Sequence, residues 1–336
     1  MTFPSQNIQE FFDEFGKHKA MALFLGSGTD ITKCYPAGNQ YDNVRGYIMK
    51  WDSLLEELAK YACVSGEEKQ ALMGFDSLFR AAILKQKLGN SYIPVVQHWL
   101  YSHCNRKILE DSYEDYDRYR QNPTIENSEK VPFFTLFVLA DLILSVSSIR
   151  VVITQNYNNF LREAIKLLQK EERDPGRYRN LEPIDVYDGW KEDPYNDNKF
   201  LIYHVHGYIP SPAEMIPKME SNHIVLSDEE FHMLGKNVYS WQNATQLHYF
   251  THFTCALMGL SLNDMTTLRL IRYANLEKSG EKVFWIRGGR DDGKDSEQKL
   301  RAEYFATQNL HVVNEAEGYN RFYHKLYKHV IINAKR

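Results

Sequence analysis

One local pattern recurs four times along the chain: a short apolar run, the length of a buried strand, stops on a cluster of small or polar residues. It is plainest at residues 151–161, VVITQNYNNFL. Val151, Val152 and Ile153 are apolar and β-branched, as the end of a buried strand requires. Thr154, Gln155 and Asn156 follow. Phe160, Leu161, Ala164, Ile165 and Leu168 then fall at spacings of one, three and four, the periodicity of a helix. Two readings of the polar end are open. Asn156 or Asn158 can cap the following helix, because Asn is a favoured N-cap residue. Alternatively the polar groups face a ligand, because open α/β sheets bind ligands just outside the carboxyl ends of their strands.

The other three runs end in the same way. In MALFLGSGTD, the strand-like Ala22 to Leu25 stops at Gly26-Ser27-Gly28, a tight turn of the kind that lets backbone amides approach a pyrophosphate. The third glycine of the dinucleotide fingerprint is absent, and no acidic residue clearly ends a second strand, so a plain strand-to-loop turn is the alternative. In YHVHGYIP, His204 and His206 are expected on one face of a strand ending at Gly207. Such a pair could ligate a metal, but no third ligand lies nearby, and packed histidines are the commoner case. No metal is expected. The last run ends in Met258-Gly259-Leu260-Ser261-Leu262-Asn263-Asp264. Together the four ends describe a polar cleft along one edge of a sheet, where a dinucleotide would sit.

Between these runs the apolar spacing predicts helices over 7–19, 51–106, 131–146, 159–170, 240–252 and 319–333, with further strands near 184–187, 282–288 and 309–314. Ser227 and Glu230 have the spacing of a capping box. The segment 111–130 is dense in charge and tyrosine and reads as a surface excursion; Pro175-Gly176 marks a turn. Alternating strands and helices indicate an α/β fold: a doubly wound, mostly parallel, Rossmann-like sheet in a single domain over 1–336, with a helical insertion over 50–130. The 336 residues suffice for a substantial core. A net charge of −4 makes no electrostatic case for nucleic acid or an anionic membrane. The most apolar run, 131–146, is too short to span a bilayer and carries Asp141, so it reads as a core helix. Four scattered cysteines (Cys34, Cys63, Cys104, Cys255) form no zinc ribbon and suit a reducing compartment, and the polar N-terminus has no leader. A soluble cytoplasmic protein is expected.

In combination and order the four motifs resemble the sirtuin-like (silent-information-regulator-like) superfamily. The family pattern is G-A-G-x-S, then T-Q-N with an aspartate two residues on, then H-G, then G-x-S. Here it reads Gly26-Ser27-Gly28-Thr29-Asp30, Thr154-Gln155-Asn156-Tyr157-Asn158, His206-Gly207 and Gly259-Leu260-Ser261. Two positions depart from it: Thr29 and Asp30 stand where a serine is usual, and Asn158 replaces the aspartate. Asn156-Tyr157, Leu226-Ser227-x-x-x-Phe231, Gly259-x-Ser261-x-x-Asp264 and the helical insertion are similar to a bacterial branch that lacks the zinc ribbon of protein deacylases. That resemblance implies an NAD-consuming effector of antiphage defence.

On this resemblance NAD is the substrate. Asn156 would position the ribose and a water, since an amide both donates and accepts hydrogen bonds, and His206 would be the general base. Gly26, Ser27, Gly28, Thr29 and Asp30 would cradle phosphates, with Thr154, Gln155, Tyr157, Gly259, Ser261 and Asp264 completing the cofactor site. The rivals are a protein deacylase, which the absent ribbon disfavours, a non-catalytic sensor of NAD or ADP-ribose, and a structural subunit of a defence complex. Unchecked NAD cleavage would kill the host cell. Control is therefore expected from homo-oligomer assembly or from a separately encoded partner such as a ring-forming HerA-class ATPase.

Overall fold

A computed structural model describes residues 6–17, 19–30, 51–102, 106–172, 176–189, 198–214, 224–262, 264–276, 281–288, 296–308, 310–315 and 318–334. The sequence expectations for residues 1–5, Cys34, Cys104, Pro175 and Asn263 lie outside them. The chain opens with α1 (Gln6–Gly16) and β1 (Met21–Leu25). Then come α2 (Trp51–Tyr61), α3 (Gly66–Met73), α4 (Ser77–Leu88), α5 (Tyr92–Ser102), α6 (Arg106–Gln121), α7 (Ile125–Ser128) and α8 (Phe134–Ser145). Next are β2 (Ile149–Thr154), α9 (Phe160–Glu171), β3 (Glu182–Val186), β4 (Lys199–His204), α10 (Asp228–Lys236), α11 (Trp241–His252) and β5 (Thr254–Met258). The chain closes with α12 (Met265–Leu276), β6 (Val283–Gly288), α13 (Ser296–Thr307), β7 (Leu310–Glu315) and α14 (Tyr319–Leu326), which runs into a π-helical turn, Tyr327–Ile331.

The seven strands form one sheet in the order β3-β4-β2-β1-β5-β6-β7, and every neighbouring pair is parallel. β1 is central. On one side of it the chain lays down β2, then the edge strand β3, and returns to place β4 between them; it then crosses to the other side for β5, β6 and β7. That crossing is a topological switch point, the place where open parallel sheets bind ligands.

Alternate strand residues enter two separate cores, because successive side chains point to opposite faces. Met21, Leu23 and Leu25 pack with α1, α8, α9 and α14; Ala22 and Phe24 pack with α11 and α12. Phe24 stacks on Phe250 of α11 at 4.1 Å between ring centroids. β1 and β5 are buried throughout, as expected of strands covered on both faces.

The apolar run 131–146 is a core helix, buried along all of Phe134–Leu144. Its Asp141 accepts hydrogen bonds from Tyr116 Oη at 3.1 Å and Ser145 Oγ at 3.0 Å. The same contact corrects the reading of 111–130. This segment is no surface excursion: most of it is α6, and Tyr116 and Tyr119 have no exposed surface. Leu109, Ser112, Tyr116 and Tyr119 recur at helical spacing and bury one face, while the charges occupy the other. Tyrosine allows this because its ring packs like an apolar residue and its hydroxyl needs one partner; for Tyr119 that partner is His324 Nδ1 at 2.9 Å.

The capping box forms as its spacing indicates: the Glu230 carboxylate accepts from the Ser227 backbone N–H at 2.5 Å and from the Ser227 hydroxyl. It also pairs with Lys85 of α4, which ties the insertion to α10. The last polar-ended strand is shorter than the apolar run suggests. β5 stops at Met258, because Gly259 and Leu262 take positive φ of 67° and 53° and bend the chain away.

Candidate active site

The turns that leave β1, β2, β4 and β5 meet at one end of the sheet. Parallel pairing dictates this, since it puts every carboxyl end on the same side. The turns after β1 and β5 are in backbone contact: Gly26 N–H donates to Met258 O at 3.0 Å, and Gly28 N–H to Gly259 O at 3.0 Å. Glycine is required at this contact. A Cβ on Gly28 would lie 2.7 Å from Gly259 Cα, and one on Gly259 would lie 2.6 Å from Thr29 N. The Thr29 and Asp30 amides are engaged within the same turn, by Gly26 O and Ser27 O.

The β2 end is pinned to β1. Gln155 N–H donates to Leu25 O at 3.0 Å, and the Thr154 hydroxyl accepts from Asn156 N–H at 3.0 Å. Neither Asn156 nor Asn158 is the N-cap of α9, which is Asn159; Asn158 stands just before it and accepts from Phe160 N–H through Oδ1 at 3.1 Å. Asn156 instead turns its amide nitrogen onto Asp30 Oδ2, at 3.0 Å. Of the two asparagines, Asn158 alone serves the start of the helix.

These turns surround a cavity of about 520 Å³. Ser27, Asp30, Gln155, Asn156, Tyr157, His206, Ser261 and Asp264 line it. Gly26, Gly28, Thr29, Thr154 and Gly259 stand behind that wall and shape it. His206 is 4% exposed, and its Nε2 lies 3.9 Å from Asp264 Oδ2, beyond hydrogen-bond distance and with no other partner among the described residues. Its ring meets Phe231 edge-on at 5.1 Å. Burial lowers the His206 pKa, and the Asp264 carboxylate opposes part of that fall. Burial thus favours the neutral imidazole, whose ring forms part of the cavity wall.

Asp264 is held rigidly. It accepts from Thr266 N–H at 2.8 Å, from the Thr267 hydroxyl at 2.6 Å and from Gln155 Nε2 at 3.3 Å, and so caps α12 while facing His206. Asp30 is buried too, and burial outweighs the hydrogen bonds from Asn158 and Thr29 to push its pKa up to about 6.

The expectation that His204 and His206 share a strand face is corrected. β4 ends at His204, and Gly207, with φ of 95°, turns the chain immediately. His204 points into the interior between Asp185 Oδ1 at 2.9 Å and the Asn156 carbonyl at 2.8 Å, while His206 lines the cavity. Among the described residues no group of three or more His, Cys, Asp or Glu could hold a metal ion.

Sequence reasoning missed the far wall. Trp51 and Leu54 of α2, Leu78 of α4, Trp99 of α5 and Phe231 of α10 close the cavity opposite the strand ends. In the sequence these residues are ordinary apolar helix positions, and nothing in their spacing separates a cavity wall from a core. Phe231 had one signal, its fixed distance from the Ser227 cap.

The arrangement offers a neutral buried base, an oriented amide and carboxylates in one apolar-walled cavity, the groups that glycosidic cleavage of a cationic nucleotide needs. No curated protein matches the chain. A family model for the SIR2-like domain matches residues 150–313, from β2 into β7, and so spans the Thr154–Asn158, His206 and Gly259–Asp264 turns. That match, with the Gly26–Asp30 turn set against it, is consistent with the sirtuin-like superfamily.

Proposed function

We propose that this protein is an NAD hydrolase that cleaves the bond between nicotinamide and ribose. The observation that carries the reading is the meeting, in one cavity, of Asn156 and a buried His206 whose Nε2 has no partner among the described residues. The volume of about 520 Å³ falls within the range of cofactor sites.

In the reaction the C–N bond breaks, nicotinamide leaves with the electron pair, and positive charge develops on the ribose. Such oxocarbenium-like transition states are stabilised by nearby carboxylates, and Asp30 and Asp264 stand in the wall. Water adds to the ribose carbon, and His206 takes its proton. General-base assistance of this kind is typically worth about 10²–10⁴-fold. The products are nicotinamide and ADP-ribose. Among the described residues no helix is long and apolar enough to cross a membrane. The NAD pool that the reaction would draw on is, in this reading, the cytoplasmic one.

The biological role we infer is depletion of NAD in bacterial antiviral defence. Activity would be released by self-assembly or by a separately encoded partner of the HerA ATPase class. Nicotinamide release from NAD, measured alone and with such a partner, tests the reading. His206→Ala should lose at least about a hundredfold in turnover while staying folded. A variant that keeps most of its turnover would refute the base assignment. NAD binding without release under both conditions would instead favour a nucleotide sensor.

A further inference from the structure

The Asp30 carboxylate stands where three polar side chains converge. Its Oδ2 accepts from Asn158 Nδ2 at 2.8 Å and from Asn156 Nδ2 at 3.0 Å, and the Thr29 hydroxyl approaches Oδ1 at 3.4 Å. Asp30 and Asn158 are 3% and 5% exposed, so bulk water cannot substitute for either. Two further acceptors, Gly26 O at 3.2 Å and Thr29 Oγ1 at 3.3 Å, face the same Asn156 nitrogen. An amide has one donor end and one acceptor end, and the neighbouring groups decide which way it points. Here three acceptors surround the nitrogen. Oδ1, which has no hydrogen-bond partner among the described residues, is left to the cavity.

We propose that Asp30 is the positioning residue of this site. Braced by Asn158, it holds Asn156 with its donors inward and its carbonyl oxygen outward, so that Asn156 meets the attacking water or a ribose hydroxyl only as a hydrogen-bond acceptor. The role assigned to Asn156 rests on the NAD-cleavage reading; the contacts do not. Relative to the family pattern, an acid stands on the first turn where a serine is usual, and an amide replaces the aspartate of the second.

Both asparagines donate to one oxygen, Oδ2, so the acceptor at that place can be removed or kept. In Asp30→Leu no acceptor remains there, and the Asn156 nitrogen is left to Gly26 O and Thr29 Oγ1 alone. In Asp30→Asn an amide oxygen at the Oδ2 place accepts from both asparagines without the charge, and its nitrogen falls beside the Thr29 hydroxyl. Asn158 keeps its orientation in either variant, because Phe160 N–H donates to its Oδ1.

Steady-state nicotinamide release and thermal unfolding of the two variants test the proposal. Asp30→Leu should lower kcat by roughly 10- to 100-fold, the loss expected for a charge-assisted hydrogen bond, with KM within about threefold. Asp30→Asn, which keeps the acceptor, should recover part of that loss. Wild-type kcat in Asp30→Leu, or Asp30→Asn as poor as Asp30→Leu, would overturn the proposal. If Asp30→Leu does not fold, the Asn156 side-chain amide resonances decide in Asp30→Asn: a shift supports the contact, and unmoved resonances overturn it. If the wild-type protein releases no nicotinamide under any condition, the NAD-cleavage reading fails on its own, and the same resonances then decide the pairing.

Discussion

At the scale of the residue, the chemistry depends on two acids held differently by their surroundings, Asp30 buried and Asp264 partly exposed. Asp264 is fixed by donors on several sides, so its charge reaches His206 without rotation. Asp264→Asn keeps the cap on α12, since Asn also caps well, but removes the charge that props up the His206 pKa. The imidazole should then titrate at lower pH than in the wild type, read from its carbon chemical shift; an unmoved titration would show that Asp264 does not couple to the base. Asp30 is governed by its burial. Its pKa rises from 3.8 to about 6 on folding because burial penalises the charge. Between those values the folded chain binds the extra proton, so this group's contribution to stability falls as pH rises from about 4 to about 6 and is flat outside that window. The total is on the order of 3 kcal/mol. Asp30→Asn should remove this slope, and urea unfolding at several pH values measures it.

At the scale of the element, the site is held by the closeness of two turns. The contact of Gly28 with Gly259 leaves no room for a side chain, and Gly259 also has φ of 67°. Gly259→Ala should cost about 1–3 kcal/mol from backbone strain alone, and more from the clash with Thr29 N. Unfolding midpoints should fall, and the distance across the β1 and β5 turns should open. A neutral substitution would mean that the turns part freely. Elsewhere α6 joins the insertion to the core helix α8. Tyr116→Phe deletes a donor to the fully buried Asp141 and should cost about 1–3 kcal/mol in unfolding free energy. No loss would show that the hydroxyl contributes nothing to the packing of α6 on α8.

At the scale of the whole molecule, exposed apolar side chains bear on assembly. Met73, Phe75 and Phe79 lie together in sequence from α3 into α4, each more than two-fifths exposed, and the two phenylalanine rings meet edge-on at 5.0 Å. Contiguous exposed apolar surface of this kind favours association. The tyrosines of α6 do not contribute to it, since Tyr116 and Tyr119 belong to the chain's own core. We expect an oligomer, with isolated protomers turning over NAD slowly. Light scattering run beside the nicotinamide assay checks this, and Phe75→Ser with Phe79→Ser should shift the population toward monomer. A monomer with full activity, independent of concentration and partner, would refute it.

Local physical chemistry made much of this protein legible from the chain alone. Runs of β-branched and apolar residues mark strands buried on both faces, and three/four spacing marks the helices that cover them. The alternation of the two implies a parallel sheet, which carries all four polar strand ends to one side. Gly26–Asp30, Gln155–Tyr157, His206 and Ser261–Asp264 could thus be placed together before any contact was known. Tertiary structure alone decided which way each polar group turns. Asn156 meets Asp30 across 126 residues, and His204 meets Asp185 in a neighbouring strand while His206 turns to the cavity. The charged composition of 111–130 concealed a buried helix face, because a tyrosine hydroxyl counts as polar until its partner is seen. Trp51 and Trp99 became cavity wall only when the insertion folded over the strand ends. Periodicity records which face of an element is apolar; what that face lies against is set by residues distant in the chain, and that information exists only in the folded contacts.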